Sequence, residues 1–177
     1  NPNLADAHLN LGCILIAQGE PKKAELSTLR AIELKPNFAN NYSNLGYILK
    51  YLGKLKEAEL STRKAIELNP NLADAYLILG TILIEQGELK KGEESTRKAI
   101  NLKPDHANAH FNLGKILRDK GQYESAISSY KEALKYSYEK DFIIAEILKL
   151  LSLMSDWDSA SEYIPFLDKL GINQSSI

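Results

Sequence analysis

One cysteine, Cys13, stands in 177 residues, so no disulfide can close within the chain. A reducing compartment suits such a sequence. No apolar run approaches the roughly 18 residues that a membrane-spanning helix needs, and no charged-then-apolar leader opens the chain. A cytoplasmic location is therefore expected, with no membrane partner. A charge excess is missing too: 22 Lys and Arg stand against 23 Asp and Glu, a net of −1. Nucleic-acid binders usually carry a basic excess on one face, so that class of partner is not expected. The lysine clusters at Lys22–Lys23, Lys54/Lys56 and Lys90–Lys91 have glutamates within a few residues, the pattern of solvated helix starts.

Catalytic signatures are equally scarce. There is no glycine-rich phosphate loop, nucleophile elbow or pair of catalytic carboxylates. His106 and His110 lie four apart after Asp105, but a metal site would want further ligands at fixed spacing. No metal, no cofactor and no catalytic residue are expected, and the chain by itself is not expected to be an enzyme. What is present is a hydrophobic share of 44%, enough to bury a core and to argue against disorder.

The residues also keep a rhythm. AELSTLRAIELKPNF at 24–38 and AELSTRKAIELNPNL at 58–72 differ at four of fifteen places. GEESTRKAINLKPDH at 92–106 is a third version, and SAISSYKEALKYSYE at 125–139 a worn fourth. Counted from Ala5, Ala39, Ala73 and Ala107, the period is 34 residues. Position 7 is leucine and positions 8 and 15 are glycine in all four units. Position 20 is Ala24, Ala58, Gly92 and Ala126, and position 27 is always alanine. Position 32 is Pro36, Pro70 and Pro104, then Tyr138.

Each unit predicts two helices. Helix A spans about position 1 to 14, as in Ala73 to Gln86, with Ala75, Tyr76, Leu79, Ile82 and Leu83 at three- and four-residue steps on one face. A glycine then relieves the left-handed turn past the helix end. Helix B runs from about Leu89 to Leu102 and stops before Lys103-Pro104, because the residue ahead of proline avoids helical geometry. Pro21 is tolerated in a first helical turn. Glycine at position 8 costs about 1 kcal/mol against alanine, which implies a close approach of helix A to helix B. The position-20 alanine is the expected neighbour, and Gly92 there is expected to weaken its helix. Asp141 to Met154 predicts a very apolar helix, Asp156-Trp157 the start of another, and Pro165 a break in it.

With that period and those landmarks the chain resembles a tetratricopeptide-repeat array. The resemblance covers about 135 residues. Its departures are His8, Tyr42, Tyr76 and His110 at position 4, leucine at position 11, and threonine at position 24 of three units with Tyr130 in the fourth. The implied fold is all-α, a right-handed α-solenoid of antiparallel helix pairs. Four repeats are expected at 5–38, 39–72, 73–106 and 107–138. Residues 1–4 read as the tail of a preceding repeat, so the chain is expected to be a piece of a longer array. A degenerate fifth pair at 139–171 would close the array, and 172–177 would be a tail or linker.

The family's groove positions are 2, 5, 6, 9, 12 and 13 of helix A. Position 6 gives Asn10, Asn44 and Asn112, a column broken by Ile78. Asparagine both donates and accepts, so it suits the backbone of an extended peptide; hydrogen bonding between repeats is the other use. The column is similar to the repeat arrays of O-linked N-acetylglucosamine transferases, and Asp156-Trp157 resembles the junction before their catalytic half. Cys13, Thr81 and Lys115 occupy position 9 with Tyr47, which lies one turn from Tyr51 with Lys50 beside it. Aromatics on a wet face often anchor partners, though packing on the next repeat fits as well. Cys13 reads equally as a small apolar filler. Phe111, Lys115, Arg118 and Asp119 form a mixed patch in which Arg118 suits a carboxylate or simple solvation. The family's grip on carboxylate tails, a basic residue at 5 and asparagine at 9, is absent. The reading is a non-catalytic scaffold for a protein or extended peptide, with self-association through the array ends as a further option. The alternative is the substrate-recruiting arm of a larger, glycosyltransferase-like enzyme.

Overall fold

A computed structural model describes residues 2–137 and 140–163. Among these residues there are ten α-helices and no strand. They fall into two compact units, Asn1–Pro104 and Asp105–Ile177. The break expected at Pro165 and the tail expected at 172–177 lie outside the described residues.

The first unit holds α1 (Pro2–Ala17), α2 (Pro21–Leu34), α3 (Ala39–Tyr51), α4 (Leu55–Leu68), α5 (Ala73–Glu85) and α6 (Leu89–Leu102). The B helix α6 spans the expected residues, and the A helix α5 stops one short at Glu85, with Gln86 as its cap. Helix α1 begins at Pro2, three residues ahead of Ala5, and proline's fixed φ suits a first turn. Pro21 opens α2 as expected. Gly53 shows why A helices end on glycine. Its φ is +75°, and in that conformation its N–H reaches Lys50 O while Lys54 N–H reaches Leu49 O, both at 2.9 Å. Two orphan carbonyls of the last turn are thereby satisfied.

Within the unit, α1 packs on α2, α3 on α4 and α5 on α6, while α2 meets α3 and α4 meets α5. The A helices α1, α3 and α5 also touch in succession. The glycine at position 8 does mark the close approach, with the expected position-20 backbone across from it and the position-24 side chain nearer still. A Cβ on Gly46 would lie 2.1 Å from Thr62 Oγ1 at position 24, nearer than the 3.2 Å to Ala58 O at position 20. Thr28, Thr62 and Thr96 are fully buried at that crossing. Thr62 and Thr96 turn their hydroxyls back onto Ala58 O and Gly92 O at 2.8 and 2.9 Å.

Gly92 has a role beside the expected weakening of its helix. A Cβ there would meet Ile84 Cγ1 at 2.5 Å and Gly80 O at 2.9 Å. Two glycines face each other, and the absent side chain is a requirement of this crossing as well as a cost to the helix. Leu45, Leu49, Ala58 and Ile82 form a buried cluster, with Ile32 and Ile78 packed against it.

The second unit holds α7 (Ala107–Asp119), α8 (Tyr123–Tyr136), α9 (Lys140–Leu153) and α10 (Trp157–Ser161). Here position 24 is Tyr130, fully buried, and a Cβ on Gly114 would lie 2.5 Å from its ring. Helix α9 packs on α8 and α10 on α9. Helix α9 buries Ile143, Ile144, Ile147, Leu148, Leu150 and Leu151. Asp156 caps α10 by accepting from Ser159 N–H at 3.1 Å.

Candidate functional site

Successive A helices place Asn10, Cys13, Asn44, Tyr47, Lys50, Tyr51 and Thr81 on α1, α3 and α5 of the first unit. Tyr47 and Tyr51 are 43% and 58% exposed, large aromatics left in water by a helix whose other face is core. Lys50 leans over this face. Its Nζ lies 5.9 Å from the Tyr47 ring centre and 3.2 Å from Glu85 Oε1 on α5. The ammonium is thus held against an aromatic face by cation–π attraction and a partner carboxylate from the next repeat.

Asn44 donates from Nδ2 to Cys13 Sγ at 3.2 Å, so one of its donors is spent between repeats. Asn10 is exposed. Thr81 turns its hydroxyl to Ile78 O at 2.8 Å, which leaves its methyl as the outward group. Beside the Asn44–Cys13 contact lies a cleft of about 340 Å³. Cys13, Ile16 and Ala17 of α1 form one wall, and Asn44, Tyr47 and Ile48 of α3 the other. None of its lining residues carries a charge.

The remaining candidates lie on α7 of the second unit. Phe111 sits 5.4 Å from the Tyr130 ring and 5.5 Å from that of Phe142, and Lys115 Nζ lies 6.0 Å from the Phe111 ring centre. Arg118 is already engaged: it pairs with Asp119 at 2.9 Å and with Glu146 of α9. Burial works against its cation, yet the hydrogen bonds to Asp119 and Glu146 hold its pKa above the ordinary value. Burial likewise pushes the Tyr130 phenol up to about 12, against the pull of the Arg118 charge. Its hydroxyl is buried without a hydrogen-bond partner among the described residues. Asn112 is half-buried on the same helix. The arginine of this helix serves the unit's own carboxylates.

Sequence reasoning passed over Asn41, Ile16 and Ala17. Asn41 is fully buried and donates from Nδ2 to Ala31 O at 3.0 Å and Lys35 O at 3.2 Å. It stitches α3 to the last turn of α2. The signal was there, since position 3 is alanine in the other three units. Ile16 and Ala17 stand where α3 has Lys50 and Tyr51. Among the described residues, no three His, Cys, Asp or Glu side chains gather as a metal site would require.

Helix pairs repeating every 34 residues, crossing at small residues and presenting a clefted face of A helices, define a helical-repeat fold of the α-solenoid class. Three matches to the tetratricopeptide repeat cover residues 5–38, 39–72 and 71–138. The chain belongs to the tetratricopeptide-repeat family. In architecture it is similar to pilF of Pseudomonas aeruginosa, with a TM-score of 0.84 at 20% identity over 94% of this chain and 76% of that one. It is similar also to the thermophilic protein TTC0263 of Thermus thermophilus, at 0.77 and 22% over 93% and 90%. MamA of Desulfovibrio magneticus RS-1 gives 0.72 and 20% over 96% of each chain. At such identities the likeness is one of fold. No curated protein matches the sequence. No described helix is long and apolar enough to cross a membrane.

Proposed function

We propose that this chain is a non-catalytic, cytoplasmic interaction scaffold whose A-helix face holds a protein partner or an extended peptide segment. The observation that carries the reading is the cleft lined by Asn44 and exposed Tyr47, with exposed Tyr51 one turn further along the same helix. A preformed face lowers the ordering cost of binding, and exposed aromatics next to an apolar cleft are the usual anchors. The binding residues would be Asn10, Cys13, Asn44, Tyr47, Lys50, Tyr51 and Thr81 in the first unit. Phe111, Asn112, Lys115 and Arg118 would serve in the second, with Arg118 acting only if a partner carboxylate displaces Glu146. Self-association through the array ends is a further mode of the same reading.

The double variant Asn44→Ala with Tyr47→Ala tests the reading. It should weaken partner capture at least about tenfold, since each lost anchor is worth about 1 kcal/mol or more, and leave the helical circular dichroism unchanged. Capture equal to that of the natural chain would move the site off this face. The reading as a recruiting arm of a glycosyltransferase-like enzyme rests on the asparagine column and on Asp156-Trp157, and Asn44 spends a donor on Cys13. The full open reading frame would separate the two.

A further inference from the structure

The cleft between α1 and α3 owes its room to three side chains. At positions 9, 12 and 13, α1 carries Cys13, Ile16 and Ala17, whereas α3 carries Tyr47, Lys50 and Tyr51. In the second repeat those positions hold larger groups, with Lys50 locked to Glu85 at 3.2 Å. In the first repeat the space stays open, about 340 Å³. Its walls are apolar, and its polar atoms are the Cys13 thiol, the Asn44 amide and the Tyr47 phenol at the rim. A charged group entering it would lose its water with no opposite charge to meet. A neutral apolar group would gain by burial.

We propose that this cleft is a specificity pocket for one bulky, uncharged apolar side chain, phenylalanine or leucine, of an extended peptide lying along the A-helix face. Asn44 stands at the rim, where its carboxamide oxygen can accept from the main chain on either side of the buried residue. Cys13 forms the floor contact that fixes the Asn44 amide. Lys50, held over the Tyr47 ring, keeps that ring as a wall and closes the side facing the third repeat. This inference rests on the reading of the A-helix face as the binding surface and adds which side chain it selects.

The test uses the full chain and fluorescent heptapeptides of serine and alanine with phenylalanine, leucine, aspartate or lysine at the centre. Binding is measured by fluorescence anisotropy. The phenylalanine and leucine peptides should bind at least about tenfold tighter than the charged ones, the worth of burying one large apolar side chain. Ala17→Tyr fills the pocket with the residue that α3 already carries at the same position, so the fold has a precedent for it. It should abolish the preference while melting at an unchanged temperature. If the four peptides bind alike, and binding falls in the Asn44→Ala, Tyr47→Ala variant but not in Ala17→Tyr, the face binds and the pocket proposal fails. If the natural chain binds none of the peptides, both the pocket and the face are overturned.

Discussion

At Gly92 two residue-scale effects oppose each other. Alanine is favoured over glycine in a helix by about 1 kcal/mol, and sequence alone would recommend it. A Cβ at that point would lie 2.9 Å from Gly80 O, a backbone atom that cannot swing aside, and such overpacking costs about 1–3 kcal/mol. The clash wins. Gly92→Ala should lower stability by about 1 kcal/mol in urea denaturation, and a raised midpoint would show that α5 and α6 can part freely. Tyr130 offers the reverse case. Its hydroxyl is buried and unpartnered among the described residues, so Tyr130→Phe removes a desolvated group and should be neutral or stabilising by up to about 1 kcal/mol. The phenol has a pH signature as well. Unfolded tyrosine ionises near 10, while folded Tyr130 holds its proton to about 12. Above pH 10 the unfolded chain gains by losing that proton and the folded chain does not. Stability should therefore fall between pH 10 and 12, and the fall should be smaller in Tyr130→Phe.

At the scale of elements, one contact joins the first turn of a helix to the last turn of the helix before it, across two repeats. Asn41 reaches back from α3 to Ala31 O and Lys35 O, closing the last turn of α2. Aspartate has nearly the same shape and, when ionised, nothing to donate. Asn41→Asp should cost about 3 kcal/mol at neutral pH, since a buried charge would face two carbonyl oxygens. Burial raises the folded pKa of such an acid above its unfolded value, so the penalty shrinks as pH falls through that raised pKa. Denaturant midpoints at pH 7 and pH 4 would show it, and equal losses at both would remove Asn41 from this role. Helix boundaries were legible beforehand because glycine and proline punctuate every unit. The position-24 threonine at the position-8 glycine was not, because periodicity places residues on faces without saying which atoms meet across a crossing.

At the scale of the molecule, a repeat array draws its stability from neighbours. Within the first unit, Leu45, Ile48, Leu79 and Ile82 are 7%, 2%, 4% and 0% exposed, while the equivalent Leu11 and Ile14 of α1 are 43% and 53%. Amide exchange should therefore be slowest in α3 and α5 and at least about tenfold faster in α1, since each 1.4 kcal/mol of local opening is a factor of ten. Uniform protection across the three A helices would mean that the unit opens only as a whole. What the sequence by itself determined is the all-α class, the 34-residue unit and the helix ends, because repeated glycine, proline and alanine act through local backbone geometry that each copy restates. It also put Asn44, Tyr47 and Tyr51 on one helical face. Only the tertiary structure decided that Arg118 is taken by Glu146, that Thr62 sits against Gly46, and that Ala17 and Ile16 leave a cleft against Tyr47. Those outcomes depend on distances between side chains far apart in the chain, and such distances follow from how helices pack, which no local pattern records.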